Sequence, residues 1–232
     1  MQKRIGLLGG MSWESTAVYY RLLNKAVSAK LGGLHSADIL MHSVDFDAVS
    51  QLQHEADWAS LATMLTDSAK VLVKGGAQAI AIATNTMHIV ADSLSDELSV
   101  PVIHIADTVA DACKQRGCHT PALLGTRFTM EQPFYRERLA AKGLNVVIPA
   151  DDERAQIHAI IYDELCKGHI SDASRTTYLE IINNLKARGA NSVILGCTEI
   201  GLLVDQSHTD VPLFDTTHIH ASAIADFMTG SD

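Results

Sequence analysis

The sequence predicts an α/β protein with two similar domains, each a parallel sheet flanked by helices. Short apolar runs alternate with longer segments of helical periodicity, which is typical of βα units. Several of the runs are apolar at consecutive positions, as expected for strands buried on both faces. The candidate strands are residues 5–8, 39–44, 79–83, 102–105, 122–124, 146–148, 193–195 and 213–214.

The segments between the strands carry ordinary helix boundaries. Residues 57–74 begin at an aspartate and are followed by Gly75-Gly76, and residues 171–188 begin at a serine and are followed by Gly189. Aspartate and serine favour helix N-termini, and glycine favours the position just after a helix. Both segments are therefore predicted to be helices that cross between parallel strands.

A weak internal repeat divides the chain. Residues 76–86 match residues 189–199, so that Thr84 aligns with Cys197 at an offset of 113. Three other landmarks recur in the same order, at offsets of 116, 111 and 108. We expect two domains of about 110 residues facing one another, the first comprising residues 1–115 with 216–232 and the second residues 116–215.

Composition and charge argue against several functional classes of protein. The chain has 232 residues, 47% of them hydrophobic, a net charge of −9 and no apolar run as long as the ~18 residues of a membrane span. Basic clusters with interleaved aromatics are missing, which weighs against nucleic acid as a partner. Four irregularly spaced cysteines do not form a disulfide framework, and the N-terminus enters a strand-like run at once. A cytoplasmic protein without membrane association is expected.

Small polar loops follow four of the predicted strands. In open parallel sheets, ligands gather at the carboxyl ends of the strands, where helix N-termini offer free N–H groups. Such loops suit a compact anion, although serine and threonine at these places also commonly cap helices. The loops are Gly9-Gly10-Met11-Ser12, Thr84-Asn85-Thr86, Gly125-Thr126-Arg127 and Gly196-Cys197-Thr198-Glu199.

Cys197 is the candidate nucleophile or base. It stands between a buried strand and a predicted helix start, where the helix dipole is expected to lower the pKa of a thiol. For Cys113, Cys118 and Cys166 a structural role is expected. Metal-ligand spacings, dinucleotide fingerprints and P-loops are missing from the sequence, so we predict no metal and no cofactor. His88, His218 and His220 follow the polar loops, and core or capping roles are at least as expected for them as catalysis.

Over nearly the whole chain, these motifs resemble the aspartate/glutamate racemase family, in particular its aspartate racemase branch and the enterobacterial broad-specificity or L-aspartate/glutamate-specific members. The most specific signal is Gly-Cys-Thr-Glu at 196–199 combined with Asn-Thr-x-His at 85–88. The other matching stretches are residues 5–13, 124–126 and 164–168.

The resemblance implies cofactor-independent racemisation of aspartate, glutamate or both by two residues on opposite sides of Cα, with the substrate in the cleft between the domains. In the family both residues are cysteines, whereas here Cys197 occupies the second position and Thr84 the first. Cys197 is then the base for the L enantiomer. A threonine hydroxyl is a far weaker acid than a thiol, so Thr84 is a poor base but could return a proton to a carbanion.

The resemblance also implies binding residues for a small acidic amino acid, and a homodimer. For the side-chain carboxylate, Lys167 matches the family's cation, while Arg127 stays an alternative and Lys167 could equally be a solvated residue at a helix end. Glu199 or Thr198 would position or activate Cys197. The substrate-binding candidates are Met11 through its main chain, Gln53, Asn85, Thr86, Thr126, Lys167, Thr198 and Glu199.

Two other functions remain open at this point. One is a single-cysteine decarboxylase or isomerase, because relatives in the same superfamily include arylmalonate decarboxylases with one thiol. The other is a catalytically silent binder of acidic amino acids that lost its first thiol. Solvent deuterium entering the α-position of L-aspartate would distinguish racemisation from both.

Overall fold

A computed structural model describes residues 2–230. Contacts divide the chain into two compact units, the first containing residues up to Ile105 and those from His220 onward, the second running from Ala106 to Ile219. The predicted domain limits differ from these units at 106–115 and 216–219, and as limits of domains they stay a prediction. Residues 1, 231 and 232 of the predicted first domain lie outside the described residues.

The first unit contains a four-stranded parallel sheet. The order of its strands is β2-β1-β3-β4, so β1 and β3 are the interior strands. All three pairings are parallel. The strands are β1 (Ile5–Gly9), β2 (Ile39–Ser43), β3 (Ala79–Ile82) and β4 (Val102–Ile103).

The second unit contains a three-stranded parallel sheet in the order β5-β6-β7. Its strands are β5 (Pro121–Gly125), β6 (Ser192–Gly196) and β7 (Leu213–Asp215). The prediction of a strand at 146–148 is wrong, because only Val147 pairs, in a single parallel bridge to Ala122. Pro149 follows this segment and has no N–H to extend the ladder.

Helices connect the strands of both sheets. The predicted helices at 57–74 and 171–188 are confirmed within a residue at each end: Asp57 accepts a hydrogen bond from Ser60 N at 3.0 Å, and Ser171 accepts one from Ser174 N at 3.1 Å. The helices are α1 (Trp13–Leu31), α2 (Phe46–His54), α3 (Trp58–Lys74), α4 (Ala91–Glu97), α5 (Ile105–Gln115), α6 (Arg127–Glu131), α7 (Pro133–Ala141), α8 (Asp151–Asp163), α9 (Asp172–Ala187), α10 (Ile200–Leu203) and α11 (Thr216–Thr229), with short 3₁₀ helices at Thr86–Val90 and Leu165–Lys167.

The two sheets repeat the same strand register. In the first sheet Gly6 of β1 lies opposite Ile80 of β3, and in the second Ala122 of β5 lies opposite Val193 of β6. These pairs correspond at the offsets of 116 and 113 found in the sequence. Register within a parallel sheet decides which residues end side by side at its carboxyl edge. The residues that follow β3 and β6, Thr84 and Cys197 among them, therefore occupy equivalent positions in their units.

Strands β1, β3, β5 and β6 are buried on both faces. In β1, Leu8 packs into the cluster that includes α3, whereas Ile5 and Leu7 pack into the cluster that includes α1 and α11. This alternation with apolar residues on both faces explains why the strands are apolar at consecutive positions. Among the described residues, the structure contains no helix that combines the length and apolarity needed to cross a membrane.

Candidate active site

The loop after β1 depends on Gly10. Gly10 has a φ of +92°, and a Cβ there would lie 2.2 Å from the carbonyl oxygen of Val44. Its N–H donates to Thr16 Oγ1 at 2.8 Å, which ties the loop to the start of α1. A side chain on Gly10 is thus excluded by both backbone conformation and space. The next residue, Met11, is buried in the core beside Leu8.

The loop after β3 carries Thr84. The hydrogen bonding between β3 and β1 continues one residue past β3, because the Ala83 N–H donates to Leu8 O at 2.9 Å. The carbonyl oxygen of Thr84 accepts a hydrogen bond from His88 Nδ1 at 2.8 Å. Thr84 and Thr86 are partly exposed, whereas Asn85 is buried. The loop therefore presents its hydroxyl residues at the carboxyl edge of the sheet.

Gln53, a candidate for substrate binding, lies in α2 and is 6% exposed. Its Nε2 contacts the sulfur of Met87 at 3.1 Å, beneath the 3₁₀ helix that follows Thr84. The side chain is thus engaged inside the first unit. Its part in substrate binding stays a prediction.

The loops of the second unit begin where two strands approach closely. Gly125 and Gly196 are paired at the ends of β5 and β6, and a Cβ on Gly196 would lie 2.8 Å from Leu124 O. The residues that follow them, Thr126 and Cys197, therefore leave neighbouring strands side by side. Thr126 caps α6 by accepting from Thr129 N, as Ser12 caps α1. The capping role considered for the loop hydroxyls thus applies to these two residues.

Cys197, Thr198 and Glu199 form one hydrogen-bonded group. The thiol of Cys197 donates to Glu199 Oε2 at 2.9 Å, and Thr198 Oγ1 donates to the same oxygen at 2.6 Å. The carbonyl oxygen of Cys197 accepts from Ile200 N at 3.2 Å, at the start of α10. A single carboxylate oxygen thus binds the thiol and orients the intervening hydroxyl.

The pKa of Cys197 differs from the sequence expectation. Burial of the sulfur against the core of the second unit, followed by the negative charge of Glu199, raises the pKa of the thiol well above its usual range. The expectation of a lowered pKa was wrong because α10 has only four residues and an anionic carboxylate contacts the thiol. Cys197 is accordingly a thiol at neutral pH, with a proton acceptor in contact.

The two candidate cations are both on the surface of the second unit. Lys167 lies in the 3₁₀ helix at Leu165–Lys167, and its Nζ is 3.7 Å from Asp163 Oδ1, with both side chains mostly exposed. Arg127 begins α6, and its Nε is 3.5 Å from Glu131 Oε1. Neither ion pair is buried, so either side chain is free to reorient at small cost.

The remaining cysteines divide into two groups. Cys113 and Cys118 are buried, in keeping with a structural role, and burial raises the pKa of Cys113 to about 12. The expectation for Cys166 was wrong, because this thiol is exposed on the 3₁₀ helix between α8 and α9. All four cysteines are free thiols.

Sequence reasoning allowed core roles for His88 and His220 but missed that they form one buried group with His104 below the Thr84 loop. His88, His104 and His220 are at most 5% exposed, and the rings of His88 and His104 are 4.5 Å apart. The available signal was the four-residue spacing of Thr84 and His88, which places the imidazole against the Thr84 carbonyl one helical turn away. Between residues 2 and 230, no three His, Cys, Asp or Glu side chains are arranged to hold a metal ion.

Hydrogen bonds join the candidate residues within each unit. In the second unit they join Cys197, Thr198 and Glu199, and in the first the Thr84 loop is bound to His88. Thr84 and Cys197 belong to different units. The pairing of these two residues across one substrate stays a prediction.

Comparisons with known proteins identify the family. The family model described as Asp/Glu/hydantoin racemase matches residues 8–224. A broad-specificity amino-acid racemase from Bacillus subtilis (strain 168) is 24% identical over 220 residues, covering 92% of each chain. Similar solved structures include a candidate Asp/Glu racemase from Yersinia pestis, with 51% identity, a TM-score of 0.94, and coverage of 98% of this chain and 99% of that one. An aspartate racemase homologue from Pyrococcus horikoshii OT3 has 34% identity, a TM-score of 0.85, and coverage of 99% and 100%.

These comparisons agree with the sheets described above. The predicted fold class, an α/β protein with two parallel sheets flanked by helices, is confirmed. At the level of the family, the predicted enzyme class, an amino-acid racemase and therefore an isomerase, is confirmed as well. The match over residues 8–224 shows that the chain belongs to the Asp/Glu/hydantoin racemase family.

Proposed function

We propose that this protein racemises aspartate, glutamate or both by proton transfer at Cα, with Cys197 acting on the L enantiomer and Thr84 on the opposite face. The observation that carries the proposal is the hydrogen bond from the Cys197 thiol to Glu199. It supplies a thiol with an adjacent proton acceptor at the carboxyl end of a buried strand. The proposal also draws on the racemase family of the chain and on the names of its relatives.

On the Cys197 side, the substrate itself activates the base. With the pKa of the thiol raised by burial and by Glu199, free enzyme at neutral pH contains little thiolate. A bound ammonium group adds a positive charge beside the sulfur, which favours the thiolate, and Glu199 accepts the thiol proton. The thiolate then removes the α-proton of the L enantiomer. A thiolate whose conjugate acid has a high pKa is a stronger base, which suits a weakly acidic C–H bond.

On the Thr84 side, the chemistry is that of a proton donor. A hydroxyl holds its proton at neutral pH, but the carbanion formed at Cα is basic enough to take it, directly or through a bound water. The reverse step, removal of the α-proton of the D enantiomer, requires an alkoxide or an assisting base and is slow. Backbone N–H groups of the loops would stabilise the charge that develops on the α-carboxylate.

Recognition of the substrate follows from the loops. We assign the α-carboxylate and ammonium groups to Asn85, Thr86, Thr126, Thr198 and Glu199, together with the main chain of Met11. Lys167 is our first candidate for the side-chain carboxylate, with Arg127 as the alternative, since both are exposed cations of the second unit. We also assign Gln53 a minor role in substrate binding. Binding of the substrate between the two units belongs to this proposal and is supported by the family resemblance and the sequence repeat.

Four further features belong to the proposal. The reaction proceeds without pyridoxal phosphate, another organic cofactor or a metal, the protein is a homodimer, it acts in the cytoplasm, and its partners are small acidic amino acids rather than nucleic acid or membranes. Dialysis against a chelator, followed by assay with and without added metal, tests whether the reaction needs a metal. Activity that requires restored metal would contradict it.

The decisive experiment for the function is an NMR assay in deuterium oxide with both enantiomers of aspartate and glutamate. Loss of the α-proton signal reports exchange, and a chiral assay of the same samples reports inversion. We expect exchange into an L substrate together with formation of its D enantiomer. A silent binder would give no exchange, and a decarboxylase would act only on an activated malonate, so either result would contradict racemisation.

A further inference from the structure

Three buried histidines surround the backbone of the Thr84 loop. His88 belongs to the 3₁₀ helix after Thr84, His104 follows β4, and His220 lies in α11. They are 2%, 5% and 0% exposed. The ring of His88 lies 4.5 Å from that of His104 and 5.7 Å from that of His220. Burying three imidazoles together is costly unless their polar atoms are bonded, so each bond has a structural consequence.

The bonds of His88 determine its tautomer. Nδ1 faces the carbonyl oxygen of Thr84 at 2.8 Å, and because a carbonyl only accepts, Nδ1 carries the proton. Nε2 accepts the Ile105 N–H at 3.2 Å, so it presents a lone pair. His88 is therefore a neutral imidazole that bridges the Thr84 loop to the start of α5.

His220 is held in the opposite tautomer. Its Nε2 donates to Ile103 O at 2.8 Å, and its Nδ1 accepts from the hydroxyl of Tyr19 at 2.9 Å. The group thus links α1, the end of β4 and α11 behind His88. A loop bonded to such a packed group has little freedom to change its backbone conformation.

The equivalent position in the second unit lacks this arrangement. At the offset of 113, His88 corresponds to Gly201, where a Cβ would lie 2.8 Å from Asp215 Oδ2. The carbonyl oxygen of Cys197 instead accepts a main-chain N–H, from Ile200. A side chain that holds the backbone of the reacting residue is therefore a feature of the Thr84 loop.

We propose that His88 is a positioning residue for the Thr84 half-reaction: by donating to the Thr84 carbonyl, it holds the hydroxyl of Thr84 where it protonates the face of Cα opposite Cys197. This inference rests on the proposed function. A hydroxyl that is a poor acid and a poor base depends strongly on alignment, since small misplacements of a reacting group lower rates by orders of magnitude. Cys197 does not depend on His88, so its exchange of the L α-proton is an internal reference.

The test is a pair of amide substitutions at His88. In His88→Asn, the amide nitrogen takes the place of Nδ1 and can still donate to Thr84 O. In His88→Gln, the amide oxygen takes the place of Nε2 and can accept from Ile105 N, but the bond to Thr84 is lost. The readout is the ratio of inversion to L-substrate deuterium exchange at saturating substrate, with KM measured for each variant.

We expect His88→Gln to lower that ratio at least about tenfold while L exchange persists, and His88→Asn to keep it within about threefold of wild type. Tyr19→Phe is the control, because it removes the hydrogen bond to His220 without touching Thr84. We expect it to lower the stability of the fold and to leave the ratio unchanged.

The possible outcomes distinguish a failure of the inference about His88 from a failure of the proposed racemisation. If wild type exchanges and inverts but both amide variants lower the ratio equally, or His88→Gln leaves it unchanged, the inference about His88 is overturned and racemisation stands. A fall of the ratio in Tyr19→Phe equal to that in His88→Gln would also overturn it, because packing alone would then explain the effect. If wild type shows no exchange at all, the proposed function fails and the inference fails with it.

Discussion

The Thr84 loop of the first unit and the Cys197 loop of the second share one backbone plan. Each follows a strand that pairs with two parallel neighbours, and the pairings Gly6 with Ile80 and Ala122 with Val193 correspond residue by residue. Beyond the strands the chemistry diverges. The thiol of Cys197 contacts a carboxylate, whereas in the first unit Thr86 stands at the position equivalent to Glu199.

Two units with the same backbone plan therefore need not transfer protons in the same way. The second loop contains a thiol and a hydroxyl that both donate to one carboxylate. The first contains a hydroxyl whose main chain is held by a neutral imidazole. We therefore expect two half-reactions of unequal speed, and each of the following experiments alters one side of this comparison.

The largest effect is expected from Cys197→Ser. A serine hydroxyl has essentially no alkoxide at neutral pH, so the variant should lose at least about 100-fold in deuterium exchange into L-aspartate and L-glutamate. The measurement is loss of the α-proton NMR signal in deuterium oxide, with circular dichroism to verify the fold. Exchange within about tenfold of wild type would remove Cys197 from the mechanism.

The matched control is Cys166→Ser, which makes the same change at an exposed thiol of the same unit. We expect its activity to stay within about twofold of wild type, as a solvated side chain contributes little. Cys113→Ser and Cys118→Ser are expected to keep activity as well, in proteins that remain folded. A large loss in Cys166→Ser with the fold intact would mean that the reacting thiol is a different one.

The second experiment is Thr84→Cys, which places a thiol at both reacting positions. Free enantiomers have equal energy, so kcat/KM for racemisation is equal in both directions and Thr84 cannot make net inversion one-way. In wild type we expect exchange into the L substrate to exceed the formation of D product, and exchange into the D substrate to be slowest. A thiol at position 84 should raise inversion about tenfold or more and bring D exchange toward L exchange.

The same assay can also contradict the prediction for Thr84. If wild type exchanges and inverts both enantiomers at similar rates, Thr84 does not limit the reaction, and another group acts as the second base. Thr84→Ser is the appropriate control, because it keeps a hydroxyl of similar acidity and should leave inversion slow.

The third experiment changes the partner of the thiol in Glu199→Gln. Since the carboxylate raises the pKa of Cys197, its removal should move the alkaline rise of kcat/KM for L exchange toward lower pH. The amide cannot accept the thiol proton, which opposes this gain at neutral pH, so the position of the alkaline rise is the decisive readout. Exchange rates measured from about pH 7 to about pH 11 locate this rise.

A neutralised carboxylate elsewhere in the second unit provides the comparison. Glu131 binds Arg154 at 3.0 Å rather than a thiol, and Glu131→Gln should keep the wild-type pH profile. A profile in Glu199→Gln that moves toward higher pH, or does not move, would contradict the assigned effect of Glu199 on the thiol.

Much of the fold could be predicted from local sequence. Runs such as residues 79–83 and 193–195 are apolar throughout because their strands are covered on both faces. The internal repeat predicted the equivalent registers, since the offsets of strand residues are preserved in the pairings. The segment 146–148 has a strand composition but only one paired residue, because pairing depends on a neighbour that local sequence does not reveal.

The site could be predicted less completely. Cys197 was located by its place after a strand, but its raised pKa depends on side-chain geometry around the sulfur. The exposure of Cys166 depends on how its turn packs, and the residue type alone favours burial. The histidine group combines residues up to 132 positions apart in the chain, from His88 to His220, so no local pattern predicts it.

The smallest effect concerns stability rather than rate, and it tests the histidine group that distinguishes the Thr84 side. Burial lowers the pKa of His220 from 6.5 to about 4, so folding favours its neutral form. As pH falls from about 6.5 toward about 4, the unfolded chain gains a proton that the folded protein excludes, and stability is lost progressively. A shift of this size corresponds to at most about 3 kcal/mol.

His220→Gln should remove this dependence while its amide can still donate to Ile103 O. Urea unfolding near the two ends of that range should show a smaller pH-dependent loss of unfolding free energy than in wild type, by about 1–3 kcal/mol. His35→Gln is the control, because His35 is exposed and lies outside the histidine group, so its replacement should leave the wild-type dependence intact. Parallel curves for wild type and His220→Gln would mean that His220 accepts a proton inside the fold, which the bond from the Tyr19 hydroxyl to its Nδ1 does not permit without rearrangement.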